Sequence, residues 1–255
     1  MTPKNWLTIS NLTEDVLPEY QAALISSFTP LRQILVLWKF SRPRSSTNTN
    51  QASGYKKLKD LDFAKQELHT VSAAFECPAL VVMSGLPGSG KTYFSRQLAK
   101  VIPLTLIESD QIRKILVPQP IYTRAENARV FRTAYMLAEE LLRGGICVAF
   151  DATNLIRKNR KNLYKVAHAT GAKLILIEIT AAQEVIMNRL RQRADQSSAN
   201  DYSDADITVY NRLSSTAQPI LRDHLVVRTD DDITPFVASV AETISKWTGP
   251  PVTMS

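Results

Sequence analysis

An α/β fold is predicted, a three-layer sandwich of five parallel strands between helices, and three observations carry it. From Cys77 onward, short apolar runs alternate with helical patterns, as in sheets covered on both faces. One of these runs, Ala79 to Met83, leads directly into Gly85-Leu86-Pro87-Gly88-Ser89-Gly90-Lys91-Thr92, which fits G-x-x-x-x-G-K-[ST]. The remaining acidic motifs fall at the carboxyl ends of other runs, the edge where such sheets bind ligands.

Taken in order, residues 1–40 are expected to form an N-terminal helical segment, with Val16 to Phe40 helical and broken at Pro30. Residues 41–55 are polar and read as a linker. Residues 56–76 carry Leu58, Leu61, Ala64, Leu68 and Val71 on a 3.6-residue period, a helix leading into the core. Residues 77–248 form the main domain. Its candidate strands are Ala79–Met83, Leu104–Glu108, Ile146–Phe150, Leu174–Ile179 and Leu225–Val227. Thr123-x-x-Glu126 and Thr180-x-x-Gln183 read as capping boxes opening helices, and Gly144-Gly145 closes the first of these. Pro235 starts a last helix with Val237, Val240, Ala241, Ile244 and Trp247 on one face, expected to pack on the sheet. No repeat at solenoid periods is present.

Composition narrows the setting. Thirty-one Lys and Arg against 24 Asp and Glu give a net charge of +7, which favours anionic ligands without marking a dedicated nucleic-acid binder. Two cysteines, Cys77 and Cys147, imply no disulfide framework and suit a reducing interior. Met1 to Ser10 lacks the pattern of a secretory signal. Pro30, Arg32 and Lys39 interrupt Ala22 to Phe40, the stretch nearest to a membrane span. The expectation is a cytoplasmic protein without a membrane partner.

The glycine-rich segment makes the chain a P-loop nucleotide binder. Gly85, Gly88, Ser89 and Gly90 let backbone N–H groups turn toward phosphate oxygens, Lys91 reaches the β- and γ-phosphates, and the Thr92 hydroxyl ligates Mg²⁺. A helix starting near Lys91 adds its positive dipole end. ATP and Mg²⁺ are therefore the expected cofactors.

Further chemistry is sought at the other strand ends. After Leu106-Ile107-Glu108, Asp110 and Arg113 lie one helical turn apart. Phosphoryl transfer needs an acceptor hydroxyl oriented, its proton accepted and phosphoryl charge neutralised, so Asp110 is the candidate general base. The competing reading has Asp110 capping its helix and Arg113 solvated. The run Ile146 to Phe150 ends in Asp151-Ala152-Thr153-Asn154, the form of a Walker B strand, with Asp151 facing the metal. The following helix places Arg157, Lys161 and Lys165 on one face, either solvated or in contact with a polyanion such as nucleic acid. Arg189, Arg191 and Arg193 precede the polar stretch Ala194 to Ser203, a lid pattern, with Arg189 and Arg193 facing together toward the developing charge. Arg228-Thr229-Asp230-Asp231-Asp232 follows the last strand, where a base or ribose has room.

In order along the chain, Gly85 to Thr92, Ser109-Asp110-x-x-Arg113-Lys114, Ala149 to Asn154, Arg189-x-x-x-Arg193 and Ser203-Asp204-Ala205-Asp206 resemble the P-loop kinases related to polynucleotide kinase, with an AAA_33-type ATP-binding domain. The resemblance covers roughly Pro78 to Lys246. It implies that Asp110 matches the base for the acceptor hydroxyl, Arg113 the residue binding the acceptor's phosphate, and Arg189 and Arg193 the lid arginines. Zeta-toxin and chloramphenicol phosphotransferase groups share this skeleton, so the resemblance names no acceptor. There is no Asp-x-Asp-Gly-Thr phosphatase motif, no Asn-Lys-x-Asp of GTPases and no Leu-Ser-Gly-Gly-Gln of transporter ATPases. The expected function is an ATP- and Mg²⁺-dependent kinase acting on a hydroxyl of a nucleotide, nucleic-acid 5′ end or small metabolite. Its rivals are a nucleotide-dependent switch acting on a protein partner through residues 1–76, and a toxin-like kinase of activated sugars.

Overall fold

All five expected strands are present and parallel: β1 (Ala79–Ser84), β2 (Thr105–Glu108), β3 (Val148–Asp151), β4 (Lys173–Thr180) and β5 (Leu225–Arg228). Their order is β2-β3-β1-β4-β5. The computed structural model describes residues 49–195 and 206–252. Expectations for the N-terminal helices, most of the linker and the loop 196–205 lie outside the described residues. The chain divides into two units, Met1–Gln51 and Ala52–Ser255, and the sheet with the helices packed on it belongs to the second.

Every residue of β1 is buried, which is why its run is continuously apolar: a central parallel strand is covered on both faces. It pairs with β3 through Leu80↔Val148 and with β4 through Val81↔Ile175. Successive side chains then enter opposite cores. Leu80 and Val82 join Ile107, Leu137, Phe150 and Leu163, beneath α3 (Ser109–Leu116), α4 (Arg124–Arg143) and α5 (Arg157–Thr170). Val81 and Met83 join Phe94, Leu98, Val240 and Ile244, beneath α2 (Lys91–Val101) and α8 (Thr234–Thr248). The remaining helices are α1 (Thr49–Glu67), α6 (Gln183–Asp195) and α7 (Ile207–Thr216).

Several local expectations need correction. Among the described residues the leading helix α1 already runs at Thr49, inside the stretch read as linker, and stops at Glu67. Of its stripe, Leu61, Ala64 and Leu68 are buried and Leu58 is exposed. The docking also uses an ion pair, Arg129 to the buried Asp60 at 2.6 Å. On α8, Val237, Val240 and Ile244 are buried, but Trp247 is 40% exposed.

The capping boxes also differ from expectation. Thr123 caps α4 by accepting from the Glu126 N–H at 3.2 Å. The Glu126 carboxylate does not return to Thr123. Its Oε2 accepts from the N–H groups of Ile121 and Tyr122, at 2.9 and 3.0 Å. Thr180 caps nothing: it ends β4, and its hydroxyl donates to the Val227 carbonyl at 3.4 Å. Asp230 takes over at α6, accepting from the Ala182 N–H at 3.1 Å.

Arg160, one of the basic residues of α5, is 2% exposed. It donates to the carbonyls of Asn154, Leu155, Gln218 and Pro219 at 2.8–2.9 Å, tying the loop after β3 to the segment after α7. Removing a buried donor leaves its acceptors unsatisfied. Arg160→Met should therefore lower the unfolding free energy by about 3 kcal/mol, with little recovery in Arg160→Lys, which cannot span the same carbonyls. Urea midpoints measure this, and an unchanged midpoint would show that the clamp contributes nothing.

Candidate active site

The P-loop is shaped by close approach. A Cβ on Gly85 would lie 2.3 Å from the Ile179 carbonyl oxygen, so nothing larger than glycine lets β1 pass β4 into the turn. Gly90 has φ +93, and a Cβ there would meet the Thr229 hydroxyl at 2.8 Å. Gly90 is the N-cap of α2, with no side chain capping it. The first N–H groups of that helix are thus left to an anion.

Lys91 and Thr92 follow in the first turn of α2. Lys91 is 9% exposed, and its Nζ donates to the Leu86 carbonyl at 2.8 Å. Burial lowers its pKa, while the Asp151 and Asp110 carboxylates oppose that shift. The Thr92 hydroxyl donates to Asp151 Oδ2 at 2.6 Å. Burial holds the Asp151 carboxyl above its ordinary value, against the pull of Lys91, the Thr92 hydrogen bond and Arg96. Among the described residues no group of three or more His, Cys, Asp or Glu is placed to hold a metal. A hydroxyl beside a single carboxylate nevertheless suits Mg²⁺, which keeps several waters and takes phosphate oxygens as ligands.

Beside this pair stand groups from β2 and α3. Glu108, at the end of β2, accepts from Arg96 Nη2 at 3.1 Å. Burial raises its pKa, the nearby Asp151 charge adds to that, and Arg96 opposes both. Glu108 is also the N-cap of α3. Asp110 therefore lies within the first turn, where a carboxylate suits the helix dipole, and does not cap the helix.

Arg113 is not the solvated charge of the competing reading. It is 4% exposed; Nη1 pairs with Glu126, Nη2 donates to Asn127 at 2.7 Å, and the Tyr122 ring lies 4.5 Å from its guanidinium carbon. Tyr122 takes the left-handed φ of 56, rare outside glycine, with its N–H held by Glu126. Glu126 thus fixes both the arginine and the ring that covers it. The capping pattern pointed at Glu126, but nothing local shows that its carboxylate is taken by Arg113.

On the other side, Arg189 leans on the P-loop. It donates to the Gly88 carbonyl at 3.3 Å, to the Thr229 hydroxyl at 2.8 Å and to the Thr229 carbonyl at 2.8 Å. Arg193 is near enough to depress the Lys91 pKa. The Thr229 hydroxyl donates to the Ser89 carbonyl at 2.6 Å. Arg228 pairs with Asp230 at 2.8 Å and holds its carboxyl down at about 2. Within the stretch Arg228 to Asp232, Thr229 buttresses the P-loop and Asp230 caps α6.

These groups open into one cavity of about 1750 Å³. Gly88, Gly90, Lys91, Thr92 and Asp151 line one part, with Asp110, Arg113, Arg189 and Arg193 around it. Gly85 and Ser89 lie behind the wall: the Gly85 N–H donates to the Thr153 carbonyl at 3.0 Å. The rest is walled by α4, α5 and α7, through residues such as Phe131, Tyr135, Asn162 and Leu213. On α5 the cavity is lined by Lys158, Asn159, Asn162, Lys165 and Val166. Arg157, Lys161 and Lys165 are all exposed, as the solvated reading has it; buried Arg160, Leu163 and Val166 turn Arg157 and Lys161 away from the cavity, and of the three Lys165 lines it. At this size the cavity exceeds the roughly 300–1,000 Å³ of a single small-ligand site, leaving room for two molecules side by side.

No described helix is long and apolar enough to cross a membrane. Among known proteins, 6-phosphofructo-2-kinase/fructose-2,6-bisphosphatase 4 of Homo sapiens is 29% identical over 137 residues, 46% of this chain and 29% of that protein. Isoform 1 of Rattus norvegicus is 32% identical over 150 residues, 51% of this chain and 31% of that protein. The chain thus spans under a third of the length of these relatives. Two solved structures share the fold. Chaetomium thermophilum Kti12 in complex with ADP-AlF3 has a TM-score of 0.54 and 20% identity, covering 67% of this chain and 99% of that one. Mycobacterium tuberculosis APS kinase CysC in complex with AMPPNP and APS has a TM-score of 0.52 and 18% identity, covering 65% and 96%. The family model AAA_33, described as an AAA domain, matches residues 80–220, more than half of the sequence; with its five-stranded parallel sheet and its P-loop, the chain belongs to the AAA_33 family.

Proposed function

We propose that the chain is an ATP- and Mg²⁺-dependent phosphotransferase of polynucleotide-kinase-like type, moving the γ-phosphate of ATP to a hydroxyl on a nucleotide, nucleic-acid end or small metabolite. The observation that carries this reading is the single cavity in which Asp110 lies within electrostatic reach of the P-loop lysine, with space beyond both. Thr92 and Asp151 are the residues that would hold Mg²⁺, which when bound neutralises charge on the phosphate oxygens. Lys91 and the first N–H groups of α2 bind the triphosphate. Asp110 accepts the acceptor's hydroxyl proton as its oxygen bonds to the γ-phosphorus; the bond from that phosphorus to the β–γ bridging oxygen breaks, and ADP leaves. Arg113, Arg189 and Arg193 stand where charge develops.

The test is transfer of labelled γ-phosphate from ATP to a panel of nucleosides, nucleotides, 5′-hydroxyl oligonucleotides, sugars and sugar acids. Label is expected on at least one alcohol. Release of free phosphate alone, together with a protein partner bound only in the nucleotide state, would replace the kinase with a switch.

A further inference from the structure

The loop after β3 is tied to the end of β1 by one buried side chain. Pairing between β1 and β3 runs through Val82↔Phe150. Asp151, one residue on, pairs with Glu108 of β2 but lies past the last paired position on the β1 side. Beyond it the attachment to β1 changes kind. The Gly85 N–H donates to the Thr153 carbonyl at 3.0 Å, the Ser84 hydroxyl to the Asn154 carbonyl at 3.3 Å, and Asn154 Nδ2 to the Met83 carbonyl at 2.7 Å. The shortest of the three comes from Asn154.

Asn154 suits this place in both backbone and side chain. Its φ of 47 is left-handed, a region rare outside glycine but several-fold enriched in asparagine. The residue is fully buried, where a polar group needs a partner. A carbonyl only accepts, so the amide nitrogen must face Met83. Oδ1 has no partner among the described residues, which leaves the side chain one donor to contribute. That donor bridges two strand ends, because Met83 leads into the P-loop and Asn154 follows Asp151 by three residues. From the other direction the Asn154 carbonyl accepts from Arg160 of α5 at 2.8 Å. The segment continuing from Asp151 is thus held by β1 and by α5, with Asp151 Oδ2 at 2.6 Å from the Thr92 hydroxyl.

We propose that Asn154 is a positioning residue for the metal edge of the nucleotide site: its amide fixes the segment after Asp151 to the root of the P-loop and so sets the Asp151 carboxylate against Thr92. Fully buried, it acts through those two residues and not on the nucleotide. The inference rests on the nucleotide and Mg²⁺ half of the kinase reading and needs no particular acceptor. The experiment is titration calorimetry with a non-hydrolysable ATP analogue, in Mg²⁺ and in EDTA, on the parent, Asn154→Gly, Ser84→Ala and Val240→Ala. Glycine accepts the left-handed backbone and deletes the donor. Val240, in the core beneath α8, supplies a destabilised control, and urea midpoints show that each variant is folded at the temperature used. Mg²⁺ should tighten binding by the parent. Asn154→Gly should cut that gain by roughly tenfold or more, the scale on which groups behind a metal ligand act, while affinity in EDTA stays level. Ser84→Ala, which removes the longer contact, should cut it by roughly threefold. Val240→Ala should keep it whole. The same proteins are assayed for labelled-phosphate transfer to alcohols. Loss of the Mg²⁺ gain in Asn154→Gly, with no alcohol phosphorylated even by the parent, would uphold the positioning role and overturn the kinase reading. A gain that Asn154→Gly retains in full, a loss shared by Val240→Ala, or an equal loss of affinity in EDTA would overturn the positioning role. A parent that gains nothing from Mg²⁺ would overturn the metal assignment and this inference together.

Discussion

Replacing Asp110 with Asn should reduce phosphoryl transfer by roughly 10²- to 10⁴-fold, the range a positioned general base contributes, while ATP affinity stays level or improves. The split follows from where the carboxylate stands. Asp110 lines the cavity beside Lys91 and supports the charge on that lysine, so its own charge opposes a triphosphate arriving at the same place. Neutralising it removes repulsion toward the nucleotide and removes the proton acceptor for the alcohol. The helix does not depend on it as a cap, because Glu108 occupies that position, and Asn keeps the shape. Circular dichroism should be unchanged, nucleotide binding by calorimetry preserved, and single-turnover transfer to the acceptor from the screen nearly lost. Undiminished transfer would remove Asp110 from the mechanism, and loss of ATP binding in parallel would make it part of the nucleotide site instead.

Much of this architecture is legible in the sequence because parallel strands are buried on both faces and leave uninterrupted apolar runs. Ala79 to Met83 is the extreme case, and all of its residues are buried. The P-loop is legible for the same kind of reason, since the close approaches at Gly85 and Gly90 admit no side chain. Less legible is what depends on the rotation of a helix or on a distant partner. Which basic residues of α5 meet the cavity is settled by Arg160, Leu163 and Val166 turning inward, and Arg160 turns inward only because Gln218 and Pro219, far along the chain, offer carbonyls. Thr229 gives no local sign that it will clasp Ser89 and Arg189. Arg113 sits one turn from Asp110, as expected, yet its burial under Tyr122 follows from the unusual backbone that Glu126 imposes on the segment before α4. The residues left unread are those whose partners come from another element.

Lys91→Ala should weaken ATP binding by roughly 10²- to 10⁴-fold, the scale of two hydrogen bonds between a cation and phosphate oxygens at about 1.5–3 kcal/mol each. The effect on the unliganded fold should be smaller and should depend on pH. In the native protein burial raises the Asp151 pKa, and Lys91 is the foremost influence pulling it back. Without the ammonium, Asp151 rises further above the ordinary aspartate value of 3.8. A carboxyl whose folded pKa is raised binds more protons in the folded state than in the unfolded one across that window. Its contribution to stability is therefore complete below 3.8 and is lost as pH climbs through the raised value. The variant should thus lose stability with rising pH over a wider interval than the parent, visible in urea midpoints taken from acid to neutral pH. Its affinity for Mg²⁺ with ATP should recover partly as pH rises and Asp151 ionises. The paired measurement separates two roles of one residue: equal ATP affinity in variant and parent would refute the triphosphate contact, and identical pH profiles would refute the electrostatic coupling of Lys91 to Asp151.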